Sequence, residues 1–595
     1  MRRTCEERLV AGGAIAALSW AATGFGQQAP YRVVDMGVVV PNSLSNATLL
    51  DLWYIQKING PYAGTLGINE HGDVVGTYLT EEGVVRPFVN PRRSIYVGLT
   101  AGTRYDLLTL LNADEEDIGY AHAISSSGMI VGGRGGIAET DDCRAHKFQL
   151  NTTGSTSVTA TALDSTSSVW SWSMALDVES GGSGRIVGLV GEEDCVYWWR
   201  AASFGSTPSL LPATQPDDYV DPITFDPEFY VQSLRWYATG VAVSTNPVGQ
   251  FDFPTDEEEP ECAGQAQFEP LLCFPDFIAG AELGSSTLHL RGPASMSYPD
   301  ERQRTVTRSV SAEEYAAGCA EVEQETIEPP PLCERMPVYW KLGSGAPSVA
   351  LELPRPSGFN DVLCETVSVA PGECRPRRAV GWVLEFDDEL AVIWQETSAD
   401  DWCVEFLDDL VLPSVFSDSS GYPARHIRQA FDINEHGHIA ALADGPDGIH
   451  AVLLTHRSDI NADAVVDSYD YSILLGDWGC TTSPPSYCKS DVDADGDVDG
   501  GDLVIVFNDM FPSQNSGDID LICEVPGCNA TGVPEEESFF GGEQSISGVA
   551  YAALAAAGFS SVGEFKVWFD QASSEEKLGL GMVMYSHTVS FTGGE

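Results

Sequence analysis

The decapeptide G-I-N-E-H-G-D-V-V-G, Gly67–Gly76, recurs along the chain in weaker copies. Its central pentad I-N-E-H-G, Ile68–Gly72, returns unchanged at Ile433–Gly437. Looser relatives are A-H-A-I-S-S-S-G-M-I-V-G at 121–132 and M-A-L-D-V-E-S-G-G-S-G-R-I-V-G at 174–188. Such a repeat decides the architecture, because every copy must form the same small structural unit.

The pentad has the composition of a tight turn between two short strands. Asn69 and Asn434 suit the first position of a type I turn, whose fourth position then falls on Gly72 or Gly437. The flanking apolar residues predict a β-hairpin. Further apolar or aromatic strands follow the copies, for example R-P-F-V, Y-W-W-R and H-A-V-L-L, which start at Arg86, Tyr197 and His450. Each unit therefore supplies about four strands.

Four-stranded units that cannot bury a face alone are the building blocks of a β-propeller. At roughly 45 to 60 residues per unit, the separation of the two identical pentads corresponds to about six to eight steps. We therefore predict a mainly β fold, with a six- or seven-bladed propeller over residues 30–456. The competing architecture is a set of β-sandwiches, which would need no repeated turn motif.

These motifs resemble the HAF family of bacterial extracellular repeats, whose unit reads as an apolar strand, I-N-x-x-G, V-V-G and an aromatic strand. The opening Y-R-V-V-D-M-G, Tyr31–Gly37, resembles the strand that starts such arrays. The resemblance implies a propeller-like fold on an exported protein, and it implies no reaction. Residues 217–330 contain no clear copy, and Ala440 and Ala441 stand where V-G is expected. We expect an acidic insertion at about 254–334.

Two acidic segments of twelve residues lie near the C-terminal end, D-I-N-A-D-A-V-V-D-S-Y-D and D-V-D-A-D-G-D-V-D-G-G-D. Oxygen-bearing side chains fill positions one, three, five, nine and twelve of both, and position seven offers its backbone carbonyl. This spacing suits Ca²⁺, which takes about six to eight hard oxygen ligands. The predicted ligands are Asp459, Asn461, Asp463, Val465, Asp467 and Asp470 in the first loop and Asp491, Asp493, Asp495, Asp497, Asp499 and Asp502 in the second.

The two loops differ at position six, where the chain must turn sharply. This position is Gly496 in the second loop and Ala464 in the first. A left-handed alanine costs on the order of 1 kcal/mol, so we expect the first site to be weaker or differently shaped. Helix-like segments follow the loops at 469–478 and 503–510, whereas no amphipathic helix precedes either loop.

This arrangement, with aspartate at position twelve, resembles the type I dockerin repeat over residues 459–512, and it implies a small α-helical calcium-binding domain. In that family the module plugs into cohesin modules, and positions ten and eleven help to choose the partner. Those positions are Ser468 and Tyr469 in the first loop but Gly500 and Gly501 in the second. The resemblance implies attachment to a cohesin-like or cell-surface protein, without a symmetric dual binding mode.

The N-terminal residues predict export. The charged M-R-R-T-C-E-E-R leads into an apolar stretch, which is typical of a cleavable signal peptide at residues 1–26. No later run approaches the roughly 18 apolar residues of a transmembrane anchor. We expect a secreted bacterial protein in which many of the 14 cysteines form disulfides, the nearest pairs being Cys480 with Cys488 and Cys523 with Cys528.

The net charge of −57 repels phosphate backbones and anionic lipid, so nucleic-acid and membrane-surface roles are disfavoured. No G-x-S-x-G, H-E-x-x-H or phosphate-loop motif occurs in the sequence, and we predict no catalytic residues. Residues 513–595 are expected to form a tail with one helix at Ser560–Ala572.

Two functions remain open. The first is a non-catalytic binding or scaffold protein that the calcium module attaches to an extracellular assembly. The second is a polysaccharide-degrading glycoside hydrolase or its accessory, with a glycan as ligand, because dockerins commonly travel with such enzymes. Hydrolysis would need two carboxylates at a defined separation, and 88 acidic residues give no basis for choosing a pair.

Overall fold

The structure is a computed structural model, and structural statements concern the residues that it describes. The signal peptide, the C-terminal tail with its helix, and the pair Cys523 and Cys528 lie outside these residues. The described residues are 31–43, 66–115, 117–135, 144–163, 172–179, 185–191, 199–204, 208–210, 235–241, 247–252, 277–283, 286–289, 304–310, 315–323, 333–341, 351–356, 363–370, 377–385, 388–398, 401–411, 426–445, 447–462, 466–481, 488, 490–492 and 497–510.

Seven four-stranded sheets contain all the strands of the described residues. The first three sheets follow one another along the chain. They are β2 to β5 (Leu66–Ile68, Val74–Leu79, Val85–Asn90, Tyr105–Asp106), β6 to β9 (Gly119–Ile124, Met129–Arg134, Arg144–Leu150, Val158–Ala162) and β10 to β13 (Trp172–Val178, Ile186–Gly191, Trp199–Phe204, Pro208–Leu210).

The next three sheets continue this order, and the seventh takes its fourth strand from the start of the chain. They are β14 to β17 (Arg235–Val241, Pro247–Asp252, Phe277–Leu283, Ser286–His289), β18 to β21 (Arg304–Val310, Tyr315–Glu323, Cys333–Lys341, Leu351–Glu352), β22 to β25 (Leu363–Val369, Arg378–Glu385, Asp388–Ser398, Asp401–Phe406), and β26 to β28 (Ile427–Ile433, Ile439–Gly445, Gly448–His456) with β1 (Tyr31–Pro41).

Helices are few and short in the described part of the chain. They are α1 (Leu107–Leu110), α2 (Ser468–Gly476), α3 (Gly500–Met510) and a single 3₁₀ turn at Leu407–Leu410. None of them is long and apolar enough to cross a membrane.

The chain divides into two compact units. One contains Asp35–Asp409 and Arg425–Leu453, and the other contains, among the described residues, 31–34, 410–411 and those from Leu454 onward.

The first strand of each sheet packs against the first three strands of the sheet before it, as β6 does on β2, β3 and β4. The seven sheets form a closed ring, because β2 of the first sheet packs against β26 and β27 of the seventh. Apolar cores therefore lie between sheets, as where Val75 and Val89 meet Ile130 and Phe148. A ring of seven such sheets is a β-propeller with seven blades, which confirms the predicted mainly β propeller fold and selects seven from the expected six or seven blades.

A bulge in the first strand of six blades explains the glycine of the V-G motif. In six of the seven first strands the register with the second strand shifts at the same place, and a glycine of the second strand faces the bulge in five of them. A Cβ on Gly132 would lie 1.9 Å from the Tyr120 carbonyl oxygen, and a Cβ on Gly188 would lie 2.0 Å from that of Met174. The bulged carbonyl thus leaves room only for hydrogen.

The equivalent positions reveal repeat copies that the sequence pattern missed. Gly249 and Gly318 occupy the V-G position of the fourth and fifth blades, within the region that lacked a clear copy. The predicted acidic insertion at 254–334 is therefore wrong as an interruption, because β16 to β19 and the start of β20 lie inside it. The fifth-blade copy was hidden because Ala317 replaces the valine, whereas the fourth blade keeps Val248 before Gly249 but has no I-N-x-x-G turn. Ala441 fills the glycine position of the seventh blade, whose first strand has a second register shift.

The asparagine of the repeated pentad forms the turn and also joins neighbouring blades. Gly72 donates its N–H to the Asn69 carbonyl at 3.0 Å and has φ +77°, which confirms the predicted turn. The Asn69 amide donates to the Ser125 carbonyl of the second blade at 3.1 Å. The Asn434 amide donates in the same way to the Asn69 carbonyl at 3.0 Å, so the pentad links the seventh blade to the first.

Asp432 links the first strands of three successive blades around the point of closure. Its carboxylate accepts the Ile68 N–H at 2.9 Å, the Ser368 hydroxyl at 2.8 Å and the Ile433 N–H at 2.9 Å. Ser368 lies in the sixth blade, Asp432 in the seventh and Ile68 in the first. Burial raises the pKa of Asp432 to about 6, and these three donors act against that rise.

His450 links the N-terminal strand to the last strand of the seventh blade. Its Nδ1 lies 2.9 Å from Asp35 Oδ1 and its Nε2 lies 2.6 Å from Asp447 Oδ1. Burial alone would lower the pKa of His450, but the hydrogen bonds and charges of the two aspartates outweigh it and raise the pKa above 6.5. The imidazolium donates to both carboxylates, which favours the ring closed by β1.

Replacing Gly132 tests the steric role of the bulge. Gly132→Ala places a methyl group against the Tyr120 carbonyl, so we expect a loss of about 1–3 kcal/mol in unfolding free energy, measured as a lower urea midpoint by tryptophan fluorescence. Gly476→Ala is the control, because its Cβ would meet nothing within 4 Å. Equal urea midpoints for Gly132→Ala and the wild type would contradict the steric requirement for glycine at the bulge.

The interaction of His450 with Asp35 and Asp447 predicts a pH-dependent free energy of unfolding. Because folding raises its pKa, its contribution is fully present below about pH 6.5 and is lost as the pH rises through the folded value. The destabilisation by His450→Gln, measured by urea unfolding from pH 5 to 8, should therefore shrink with rising pH. His71→Gln should show the opposite trend, since burial and Arg93 lower the pKa of His71. If the destabilisation by His450→Gln did not change with pH, the charged interaction with Asp35 and Asp447 would be refuted.

Candidate calcium-binding loops

The two acidic loops lead into helices at the same loop position. Helix α2 begins at Ser468 and α3 begins at Gly500, and each is position ten of its loop. Asp467 caps α2 by accepting the N–H of Tyr469 at 2.6 Å, and Asp499 accepts the N–H of Gly501. Position nine of each loop therefore acts as the helix cap, and the predicted helices after the loops are confirmed.

The carboxylates at position twelve close both loops. Oδ2 of Asp470 accepts the Asp467 N–H at 2.8 Å, and Oδ2 of Asp502 accepts the Asp499 N–H at 2.8 Å. The other oxygen of Asp470 accepts the Asn461 N–H at 2.9 Å, while that of Asp502 accepts the Val492 N–H at 2.6 Å. Both loops have the hydrogen bond from position nine to position twelve. The second hydrogen bond to position twelve comes from position three in the first loop and from position two in the second.

The apolar core beneath the loops is built from equivalent positions of the two repeats. Positions two, eight, thirteen and sixteen are all buried. They are Ile460, Val466, Tyr471 and Leu474 in the first repeat and Val492, Val498, Leu503 and Val506 in the second. The predicted Cys480–Cys488 disulfide is formed beside this core. The apolar residues at these four positions could have been matched between the repeats from the sequence, because they recur at the same spacing as the acidic residues.

The donor set fits calcium. Asp459, Asp470 and Asp502 have no exposed surface and Asp491 is 8% exposed. Buried carboxylates are stable when they are hydrogen-bonded or paired with a cation. Asp463, Val465, Asp493 and Asp495 lie outside the described residues, and among the described ones no three His, Cys, Asp or Glu side chains converge on one point. Bound Ca²⁺ would neutralise these carboxylates, and the residues at positions one and twelve would hold it from opposite ends of each loop.

One described residue of the first loop has a left-handed backbone conformation. Ala464 lies outside the described residues, whereas Ala462 at position four has φ +58°. Asp497, at position seven of the second loop, forms a β-bridge with Thr481.

Tyr469 at position eleven is the most exposed large apolar side chain of the described residues, at 69%. The equivalent residue of the second loop is Gly501, which has no side chain. The two repeats therefore present different surfaces at the positions next to their helices.

Three carboxylates of the propeller, one buried and two partly buried, have structural partners. Asp73 accepts the Arg92 N–H at 2.7 Å and the Tyr96 hydroxyl at 2.8 Å, and Asp106 pairs with Arg86 at 2.7 Å. Asp432 is engaged by the backbone and a serine as described above. These three acids hold strands and loops together.

Comparison with protein-family models finds no match, and comparison with curated proteins finds none. Among solved structures, Trypanosoma rangeli sialidase matches with 9% identity and a TM-score of 0.31, over 72% of this chain and 63% of the sialidase. The chain thus spans less than two thirds of that relative.

The catalytic domain of Coprinopsis cinerea GH62 alpha-L-arabinofuranosidase matches with 8% identity and a TM-score of 0.23, over 72% and 98%. The parainfluenza virus 5 hemagglutinin-neuraminidase ectodomain matches with 9% identity and a TM-score of 0.24, over 76% and 96%. Similarities this weak carry no conclusion about activity.

Removing the second loop's end ligands tests the calcium assignment. We expect Asp491→Ala combined with Asp502→Ala to abolish one of two calcium-binding events in isothermal titration calorimetry, because both ends of that loop lose a carboxylate. Asp409→Ala, an exposed acid outside the loops, is the control and should leave both events unchanged. Unchanged stoichiometry in the double variant would refute the site.

Proposed function

We propose that this chain is a secreted, non-catalytic binding or scaffold protein, attached through a calcium-stabilised dockerin-like module to a partner protein of an extracellular assembly. The observation that carries the proposal is the equivalence of the two loops, in which caps, closing carboxylates and core positions correspond. Such a duplicated loop and helix is the arrangement that the dockerin resemblance implies.

The attachment surface that we propose is centred on Tyr469. Aromatic side chains supply most of the binding energy in many protein interfaces, and an exposed tyrosine at a rigid helix start is suited to that role. Because Gly501 offers no equivalent group, we infer that the module binds its partner in one orientation.

The propeller is proposed to present a binding surface rather than an active site. Asp73, Asp106 and Asp432 support this proposal, because arginine, tyrosine, serine and backbone donors occupy their oxygens. A hydrolase would instead need an acid and a base that face the substrate.

The proposed attachment can be measured by biolayer interferometry against a panel of purified cohesin modules. We expect calcium-dependent binding that Tyr469→Ala weakens at least about tenfold, because an exposed aromatic anchor is lost. Ile95→Ala is the matched control, since Ile95 is also exposed, at 48%, but lies in the propeller. Absence of binding to every module, binding that is insensitive to both calcium and Tyr469, or turnover of a glycan panel by the purified chain would contradict the proposal.

A further inference from the structure

Two hydrogen bonds cross between the repeats that carry the acidic loops. The Ser490 hydroxyl, directly before the second loop, donates to the Asp477 carboxylate at 2.8 Å, and Asp477 caps the C-terminal end of α2 in the first repeat. The Ser458 hydroxyl, directly before the first loop, donates to the Asp509 carboxylate near the end of α3 in the second repeat. Each serine therefore holds the helix of the other repeat.

The two crossed pairs occupy equivalent positions of the repeats. Asp477 and Asp509 are both position nineteen, counted from the first residue of their own loop, and both serines directly precede position one. Neither Ser458 nor Ser490 has any exposed surface. Because a buried hydroxyl without a partner is unfavourable, burial favours the paired state of both serines.

Each helix is thereby held at its two ends by different loops. Helix α2 begins at position ten of the first loop and carries Asp470, the predicted position-twelve ligand of that loop. Its C-terminal end is held by Ser490, which is the chain neighbour of Asp491, the predicted position-one ligand of the second loop. The same relation holds for α3, which begins in the second loop and is held near its end by the serine before the first loop.

We propose that the crossed serine–aspartate pairs couple the two loops, so that calcium in one loop raises the calcium affinity of the other. This inference rests on the proposed calcium module and adds a link between its two sites. A loop whose position-one aspartate is fixed also fixes the adjacent serine, and that serine holds the far end of the other repeat's helix. The other loop consequently loses less conformational entropy when it binds calcium.

The coupling is compatible with two unequal sites. By thermodynamic linkage, each loop raises the affinity of the other by the same factor. The difference that we expect from Ala464 and Gly496 at position six of the two loops is therefore retained.

The experiment measures the calcium affinity of the first loop when the second loop is intact and when Asp491→Ala and Asp502→Ala have silenced it. Isothermal titration calorimetry of the full chain gives the dissociation constant of the weaker event in the first case and of the remaining event in the second. Silencing should weaken this event at least about fivefold in the parent chain, a typical coupling between sites. In a chain with Ser458→Ala and Ser490→Ala, silencing should weaken it less than about twofold.

Asp477 provides a second variant for the case in which the double serine variant does not fold. It is only partly buried, whereas Asp509 also lies 3.7 Å from Arg457. Asp477→Ala should reduce the effect of silencing, because Ser490 loses its acceptor. Asp477→Asn is the matched control and should retain the effect, because the amide oxygen still accepts the Ser490 hydroxyl.

The proposal is overturned if silencing has the same effect in the parent chain, in the double serine variant and in Asp477→Ala, or if it has no effect in the parent chain. Two calcium-binding events in the parent would still support the calcium module in either case. A wild-type chain that binds no calcium would instead refute the module, and this inference with it.

Discussion

The propeller depends on a close approach between two backbone segments within six of its seven blades. The first strand bulges, its carbonyl turns toward the second strand, and the facing residue must do without a side chain. Gly132 and Gly188 show the constraint directly, because a methyl group at either would lie about 2 Å from an oxygen. The residue that faces the bulge is glycine in five of these blades and alanine in the sixth. The bulge therefore explains the glycine of the V-G pair, while the turn explains the pentad.

Much of this fold was predictable, because the turn and the glycine have local causes. Ile68–Gly72 specifies a turn wherever it occurs, and the four-strand unit follows from the hydrophobic pattern. The copy at Gly318 was not predictable, because Ala317 replaces the valine, and the pair Val248–Gly249 was missed because no I-N-x-x-G turn precedes it. The links through Asp432 and Asn434 could not be inferred either. They join residues that are remote in sequence and become neighbours only when the ring closes.

The calcium loops show the same division between local and long-range causes. Ligand spacing, capping at position nine and the helices at position ten all depend on a dozen consecutive residues, so the sequence indicated them. The β-bridge between Thr481 and Asp497 depends on how the two repeats pack together, and no local pattern predicts it.

Calcium occupancy is the claim on which the functional account depends. Its direct measurement is equilibrium dialysis of the chelator-stripped full chain against calcium in the presence of excess magnesium, followed by elemental analysis of the retained metal. The account predicts two calcium ions per chain at saturation, one of them retained at markedly lower free calcium than the other. A chain that retains no calcium above the dialysis buffer would contradict it.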